Sequence, residues 1–323
     1  MRTIEYKIPP DRDGAAVGRF LRGDCGLSRR LIASLKHRPL GITANGIHIR
    51  TVDNLRAGDV LAIRLEGRDS SAQPTDIPLN VIYEDDDLIV IDKPAYMPIH
   101  PTHGHITDTL ANAYAAHARK KGEPTSFHPI GRLDRNTTGL VVGCKNRHAA
   151  NLLQNRVKKT YLAVCEGELT GGGTVDAPIR RKDGHGVRRE VGEGGLPCVT
   201  HWRAVKLDAQ NNITLAEVWL ETGRTHQIRT HFAESLKAPL CGDDMYGGRT
   251  DMIARHALHC AGVLFNHPIT KQPMSFRSGL PDDMGKCFSE KLYLCDHFLD
   301  GGADGVGDEG GDNRLGDAAE KNG

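Results

Sequence analysis

The chain has 323 residues, of which 38% are hydrophobic and 26% charged, a composition typical of a globular protein with one large or two ordinary domains. Lys and Arg number 42 against 41 Asp and Glu, so the charge balance neither requires nor excludes a nucleic-acid partner. No apolar run approaches the roughly 20 residues of a membrane helix, no leader-like segment follows Met1, and the eight cysteines form no C-x-x-C pair. We therefore expect a cytoplasmic protein with reduced thiols and no membrane association.

The first segment, residues 1–68, is predicted to be a small α/β unit. "AAVGRFLRG" and "SRRLIASLKH" have helical apolar spacing, and Ser28 is a suitable N-cap for the second helix. "GITANGIHIR" predicts a hairpin because Asn45-Gly46 tolerates positive φ angles, and "GDVLAIRLE" predicts a strand. The basic residues around the two helices are Arg19, Arg22, Arg29, Arg30, Lys36, His37 and Arg38. They form either a solvated basic face or an RNA-binding surface.

Two stretches are predicted to lie outside compact domains. The polar, proline-containing stretch "EGRDSSAQPTDIPLN" predicts a linker, which we bound at residues 69–80. Residues 296–323 are rich in Gly and Asp and have almost nothing to bury, so this acidic tail is predicted to be disordered.

The central region, residues 81–295, is dominated by strand-like runs such as "DDLIVIDKP", "GLVVGCK", "TYLAVCEG", "CVTHWRAVKL" and "ITLAEVWLE". The last run is apolar on both faces, which favours a central, covered strand. Fewer runs have helical spacing: "TLANAYAAHARKKG", "NRHAANLLQNRV" and "THQIRTHFAES". This mixture predicts an α+β fold with a mostly antiparallel mixed central sheet and flanking helices.

One carboxylate stands out in "HPIGRLDRNTTGLVVGCKN". Asp134 lies between Arg132 and Arg135, just before a predicted strand. Such an acid is either a structural ion pair on the surface or a positioned catalytic group. The motifs elsewhere in the chain distinguish between the structural and the catalytic interpretation.

Four further stretches accompany it in a fixed order: "VIYEDDDLIVIDKPAYMPIHP", "KKTYLAVCEG", "ETGRTHQIRTHFAESLKAPLCGDDMYGG" and "RHALHCAGVLFNHPIT". Together with "RLDRNTTGL", they resemble the RNA pseudouridine synthases of the RluA family over about 200 residues. The basic first segment resembles the small RNA-binding module of the S-four type, a common companion in that family. The resemblance implies the pseudouridine synthase fold with a catalytic cleft.

The resemblance also implies roles for individual residues. Asp134 matches the catalytic aspartate, and Arg229 matches the arginine that pairs with it. Tyr161 matches the aromatic residue that stacks on the flipped uracil, and Leu258 matches an apolar residue beside it. Arg132 matches an arginine proposed to fill the gap left by the extruded nucleotide, although a phosphate contact is equally natural. The basic residues that would bind RNA in the first segment are Arg29, Arg30, Lys36 and Arg38.

One position departs from the pattern. Family members carry His directly before Arg-Leu-Asp, whereas Gly131 stands there in this chain and His128 lies three residues earlier. A glycine at this place also resembles the sister family that modifies small-subunit RNA. The stretch "GRTHQIRTHF" favours the RluA pattern, and the change should not affect the carboxylate.

Rival interpretations start from other residues. His100, His103 and His105, and likewise His256, His259 and Cys260, have ligand-like spacing, but no H-E-x-x-H or C-x-x-C motif accompanies them. "EDDD" at 84–87 is read as a turn into a strand rather than as a divalent-ion site. We expect no metal and no cofactor, because isomerisation of uridine needs no redox step and no metal.

The predicted function is therefore that of a monomeric RNA pseudouridine synthase that acts on ribosomal RNA by base flipping. Transfer RNA is the alternative substrate, and a non-catalytic RNA-binding or ribosome-assembly factor is the alternative class of protein.

Overall fold

The computed structural model describes residues 2–67, 69–182 and 186–292. The predicted acidic tail, residues 296–323, and the last residues of the predicted central region lie outside them. The described chain forms a small N-terminal sheet with its own core and a large mixed sheet with cores on both faces. Within these ranges, no helix combines the length and the apolar character needed to cross a membrane.

The N-terminal part contains both predicted helices and the predicted hairpin. The Ser28 side chain caps the second helix by accepting a hydrogen bond from the Leu31 backbone N at 3.2 Å. Asn45 and Gly46 have φ angles of +50° and +81°, as the hairpin turn requires. The elements are β1 (Arg2–Lys7), α1 (Val17–Gly23), α2 (Arg29–Lys36), β2 (Ile42–Ala44), β3 (Ile47–His48) and β4 (Val60–Leu65).

Strand β1 was missed by the sequence analysis, and it completes an antiparallel sheet of order β1-β4-β2-β3. It also joins the N-terminal part to the rest of the chain. Arg2 forms an ion pair with Asp87 at 2.7 Å, and the Tyr6 hydroxyl lies 3.4 Å from His148 Nε2.

The larger sheet has the order β10-β13-β14-β9-β15-β8-β6-β5, with β16 paired to β15 and β7 paired to β8. Strands β11 and β12 form a separate hairpin. The bounds are β5 (Asn80–Glu84), β6 (Leu88–Lys93), β7 (His128–Pro129), β8 (Thr138–Cys144), β9 (Lys158–Glu166), β10 (Gly172–Asp176), β11 (Ile179–Arg181), β12 (Arg189–Val191), β13 (Val199–Asp208), β14 (Ile213–Leu220), β15 (Leu258–Asn266) and β16 (Pro273–Arg277).

The central strands are buried on both faces, which confirms the covered position predicted for "ITLAEVWLE". Along β9, Tyr161 and Ala163 pack in the main core, whereas Leu162 and Val164 pack in the core on the opposite face. All pairs in the large sheet are antiparallel except β8 with β15. At that parallel pair Gly139 has a φ of +105°, and a Cβ there would lie 2.2 Å from the Cys260 carbonyl oxygen. Only glycine allows this close approach.

The remaining helices are α3 (Leu110–Lys120), α4 (Arg147–Leu153), α5 (Gln227–Thr230) and α6 (Asp282–Gly285). Two predicted helices are shorter than expected. The helix predicted at 146–157 ends at Leu153, and Asn155 then takes a φ of +59°. The helix predicted at 225–235 has one α-helical turn, α5, followed by a π-helical turn at His231–Ser235.

The polar stretch predicted as a linker packs along α3. Ala72 is buried in the main core, and Asn112 Nδ2 donates a hydrogen bond to the Gln73 carbonyl at 2.7 Å. Its last residue, Asn80, already begins β5.

Candidate active site

Asp134 lies in the turn between β7 and β8. Gly131 opens this turn with a φ of +71°, a conformation that glycine adopts without strain. Leu133 is buried, and the Thr137 backbone N donates to the Asp134 carbonyl at 3.1 Å. The turn is therefore anchored on both sides of the carboxylate, whose side chain keeps 18% of its surface exposed.

Arg229, on α5, connects Asp134 to a second carboxylate. Its Nη1 donates to Asp134 Oδ2 at 3.3 Å, whereas its Nε and Nη2 donate to the two oxygens of Asp243 at 2.6 and 2.7 Å. Burial would lower the pKa of Arg229, but hydrogen bonding and charge from Asp243, together with Asp134, raise it overall. The guanidinium therefore stays charged inside the protein, and its Nη1 atom, which does not bind Asp243, faces Asp134.

His226 and Tyr246 complete the surroundings of the Asp134–Arg229 pair. His226 Nε2 lies 3.7 Å from Asp134 Oδ2, and its Nδ1 lies 3.0 Å from the Tyr246 hydroxyl. Burial lowers the pKa of His226, although the charge of Asp134 opposes this shift. The Arg229 guanidinium lies 5.0 Å from the centre of the Tyr246 ring, within the range of a cation–π contact.

Tyr161 and Leu258 form the apolar wall of the same recess. They lie on the neighbouring strands β9 and β15, where Tyr161 pairs with Cys260, two residues beyond Leu258. Both side chains are buried, and burial raises the pKa of Tyr161 well above its usual value. Tyr161 therefore offers a neutral phenol ring rather than a phenolate. Together with Asp134 and Arg229 they line a recess of about 50 Å³.

This recess is continuous with a wider cleft of about 580 Å³, because Arg132, Asp134 and Arg229 line both. Arg132 is exposed at the boundary, and its Nη2 donates to Thr225 Oγ1 at 3.1 Å. The carboxylate lies where the cleft meets the recess.

The turn that carries Asp134 is held by hydrogen bonds from Lys93. Its Nζ donates to the carbonyls of Pro94 at 2.8 Å and Arg135 at 3.1 Å. Burial lowers the pKa of Lys93 to about 7, while the negative charge of Asp134 opposes the shift.

The structure does not bring every predicted residue to this site. Arg29, Arg30 and Lys36 lie on α2 with exposed side chains, and Arg38 forms an ion pair with Glu66 at 3.1 Å. None of the four lines the recess or the cleft.

Two of the histidines with ligand-like spacing have side-chain partners within the fold. His256 Nε2 lies 2.8 Å from Thr137 Oγ1, and His259 Nδ1 lies 2.8 Å from Thr138 Oγ1. Over residues 2–67, 69–182 and 186–292, the side chains close enough to share a metal ion are those of Asp85, Asp87 and His267. Asp87 already binds Arg2, and residues 85–87 form the predicted turn before β6.

Sequence reasoning missed Lys93, His226, Asp243 and Tyr246. A signal for Asp243 was available: an arginine expected inside a fold needs a carboxylate partner, and "CGDD" lies in the same quoted stretch as Arg229. Lys93, His226 and Tyr246 have no comparable signal, because nothing in the local pattern requires them to contact the Asp134 turn or one another.

Comparisons with known proteins agree with this fold and identify the family. A family model described as RNA pseudouridylate synthase matches residues 87–234. The uncharacterized RNA pseudouridine synthase YjbO of Bacillus subtilis is 36% identical over 274 residues, which are 82% of this chain and 95% of that protein. The ribosomal large subunit pseudouridine synthase D of Vibrio cholerae is 38% identical over 247 residues, 70% of this chain and 75% of that protein.

Among solved structures, human RNA pseudouridylate synthase domain containing 1 superposes with a TM-score of 0.55 at 23% identity, covering 68% of this chain and 92% of that one. This likeness shows the shared fold. The family model and the identity to the bacterial enzymes establish that the chain is an enzyme of the RNA pseudouridine synthase family, of the RluA type.

Proposed function

We propose that this enzyme isomerises uridines of ribosomal RNA to pseudouridine, with Asp134 as the carboxylate that acts at the ribose. The observation that carries the proposal is the placement of Asp134, held by Arg229 next to Tyr161 and Leu258 in a recess at the edge of an open cleft. The ribosomal target is supported by relatives named for the large ribosomal subunit, such as that of Vibrio cholerae.

The reaction needs one positioned carboxylate. The N1–C1′ bond of uridine breaks, the uracil turns, and C5 forms a bond to C1′. The proton on C5 is lost and N1 gains one, so the atoms balance. Asp134 serves as nucleophile at C1′ or as base, and the hydrogen bond from the Arg229 guanidinium orients it.

The uridine must leave its helix or loop to reach Asp134, because a stacked nucleotide cannot present its sugar and C5 to a buried recess. We assign Tyr161 to stacking on the extruded base, which recovers about 1–3 kcal/mol of the cost of unstacking. Its raised pKa fits this role, since a neutral ring provides the face that a base stacks on. We assign Arg132, which is exposed at the cleft boundary, to filling the gap or to binding a phosphate.

The N-terminal residues 1–68 supply further affinity in this proposal. Their exposed cations on α2 suit contacts with RNA phosphates, which position an RNA without reading its sequence.

Asp134→Asn tests the proposal. We expect this variant to bind RNA as the parent does. Its rate of tritium release from 5-tritiated ribosomal RNA should fall by about 10³-fold or more. The asparagine keeps the size of the side chain, removes its charge and replaces one acceptor oxygen by an NH2 group, so it can act neither as nucleophile nor as base. Turnover at the parent rate would refute the assignment of Asp134. Mapping of pseudouridine in cells with and without the gene would show whether the target is ribosomal or transfer RNA.

A further inference from the structure

Tyr96 has an unusual backbone conformation at an exposed position. Its φ is +62°, in the left-handed region that bulky residues rarely occupy because the side chain crowds the backbone. Its side chain is 51% exposed, so burial in the core does not compensate for this strain. Across the part of the chain that the structure describes, no side chain forms a hydrogen bond with the Tyr96 phenol. Packing within the fold therefore gives no reason for a tyrosine here.

The segment that carries Tyr96 runs along the wide cleft next to the active site. Met97 and Ile99 are anchored in the main core, and Ile99 also lines the cleft. Arg135, the neighbour of Asp134, donates from its Nε to the Tyr96 carbonyl at 3.4 Å. The backbone of Tyr96 is thus tied to the turn that carries Asp134, and the residue is exposed just before the part of the segment that lines the cleft.

Lys93 makes this arrangement rigid. Its Nζ donates to the carbonyls of Pro94, two residues before Tyr96, and of Arg135, whose side chain contacts the Tyr96 carbonyl. A strained residue persists only where the surrounding structure holds it, and here the surrounding hydrogen bonds do so. Strain held in this way at the edge of a catalytic cleft points to a functional role.

The cations of the neighbouring cleft indicate which ligand the ring would meet. Arg132 and Arg135 are both exposed and line the cleft, and Arg135 contacts the Tyr96 carbonyl. An exposed aromatic ring among cations is the usual surface for unpaired RNA, because phosphates bind the cations and a base stacks on the ring. Resting on the function proposed above, we propose that Tyr96 stacks on the base next to the extruded uridine. It is thus a positioning residue that holds the neighbouring nucleotide while Asp134 acts.

Two substitutions separate this role from a structural one. Tyr96→Phe keeps the ring and its strain, whereas Tyr96→Asn removes the ring and adopts a positive φ more readily. With a short fluorescein-labelled oligouridylate as probe, we expect Tyr96→Phe to bind within about twofold of the parent and Tyr96→Asn to bind about tenfold more weakly. Tyr96→Asn should have an equal or higher melting temperature, because it relieves strain.

Salt dependence identifies the kind of contact that is lost. Tyr96→Asn should keep the parent's slope of log Kd against log salt, since stacking releases no counterions, whereas Arg135→Gln should lower the slope. Equal binding by Tyr96→Asn, equal losses in both Tyr96 variants, or a lower melting temperature for Tyr96→Asn would each overturn the inference. If the parent releases no tritium from ribosomal RNA but Tyr96→Asn still weakens oligouridylate binding, the proposed function fails and the stacking surface stands.

Discussion

At the scale of single residues, the most informative feature is the unequal sharing of Arg229 between two carboxylates. Asp243 takes two short hydrogen bonds from the guanidinium, whereas Asp134 takes one of 3.3 Å. Asp243 is 1% exposed and provides the main compensation for the buried charge. Arg229 therefore orients Asp134 through a single long hydrogen bond, which leaves the carboxylate oxygens available to a ribose.

Asp243→Asn tests this division of roles. The substitution leaves a buried guanidinium without its main partner, so we expect the free energy of unfolding to fall by about 3 kcal/mol or more. Arg229 should then move onto Asp134, and kcat should fall even at a temperature where the variant is folded. Urea unfolding and tritium release measure the two effects. Asp251→Asn, a change at an exposed position, is the control.

Full activity in a stable Asp243→Asn protein would show that Asp134 needs no such support. A loss of stability with unchanged kcat would assign Asp243 to folding alone.

The residues of the site were only partly predictable from the sequence. Asp134, Tyr161 and Arg229 stand in distinctive stretches, and the structure places all three at one recess. In "GDD", by contrast, nothing local distinguishes Asp243, which is buried, from Asp244, which is exposed. The difference arises because Arg229 on α5 binds Asp243, a tertiary contact that the local sequence pattern does not predict.

At the scale of elements, α2 presents its charges away from its buried face. Ile32 and Leu35 pack into the N-terminal core, and Arg29, Arg30 and Lys36 remain exposed. Since these cations do not line the catalytic cleft, they should influence RNA affinity without influencing the chemical step.

Replacing Arg29, Arg30 and Lys36 together by Gln tests the role of this helix. Loss of three phosphate contacts should reduce the slope of log Kd against log salt by about 2–3. Single-turnover tritium release at saturating RNA should remain within about twofold of the parent, because Asp134 is untouched. Lys206→Gln, at an exposed position on β13, controls for a general change in charge. An unchanged salt slope would remove α2 from the RNA-binding surface.

The elements also show where sequence patterns lose their predictive value. Alternation and apolar runs located eight of the sixteen described strands, and the Asn45-Gly46 turn formed as predicted. The helix predicted at 225–235 is instead one α-helical turn and one π-helical turn, with His226 at a φ of +57° before them. Tertiary contacts override local propensity here, because Arg229 and His226 must both reach Asp134.

At the scale of the whole molecule, the α+β class followed from the mixture of runs, whereas the strand order did not. The parallel pairing of β8 with β15 joins segments about 120 residues apart and places Asp134 beside Leu258. Nothing in either segment alone specifies this pairing. The packing of β1 against the turn before β6 likewise depends on Arg2 meeting Asp87, a contact across 85 residues.

Buried neutral histidines distributed over the molecule predict its response to acid. Burial lowers the pKa of His256 to about 2, and the pKa values of His148 and His259 to about 4. In the unfolded chain these groups titrate near 6.5, so the unfolded state binds more protons once the pH falls below that value. The stability that they contribute is therefore present above pH 6.5 and is lost as the pH falls towards their folded pKa values.

We expect the free energy of unfolding to decrease by about 1 kcal/mol for each of the three histidines between pH 6 and 5. His256→Gln retains a partner for Thr137 and removes one titrating group, so its plot of stability against pH should be flatter by about that amount per unit. Urea unfolding at a series of pH values measures both slopes, with the exposed His103→Gln as the matched control. If His256→Gln and the parent lost stability in parallel on acidification, the ring of His256 would not be held neutral in the folded protein.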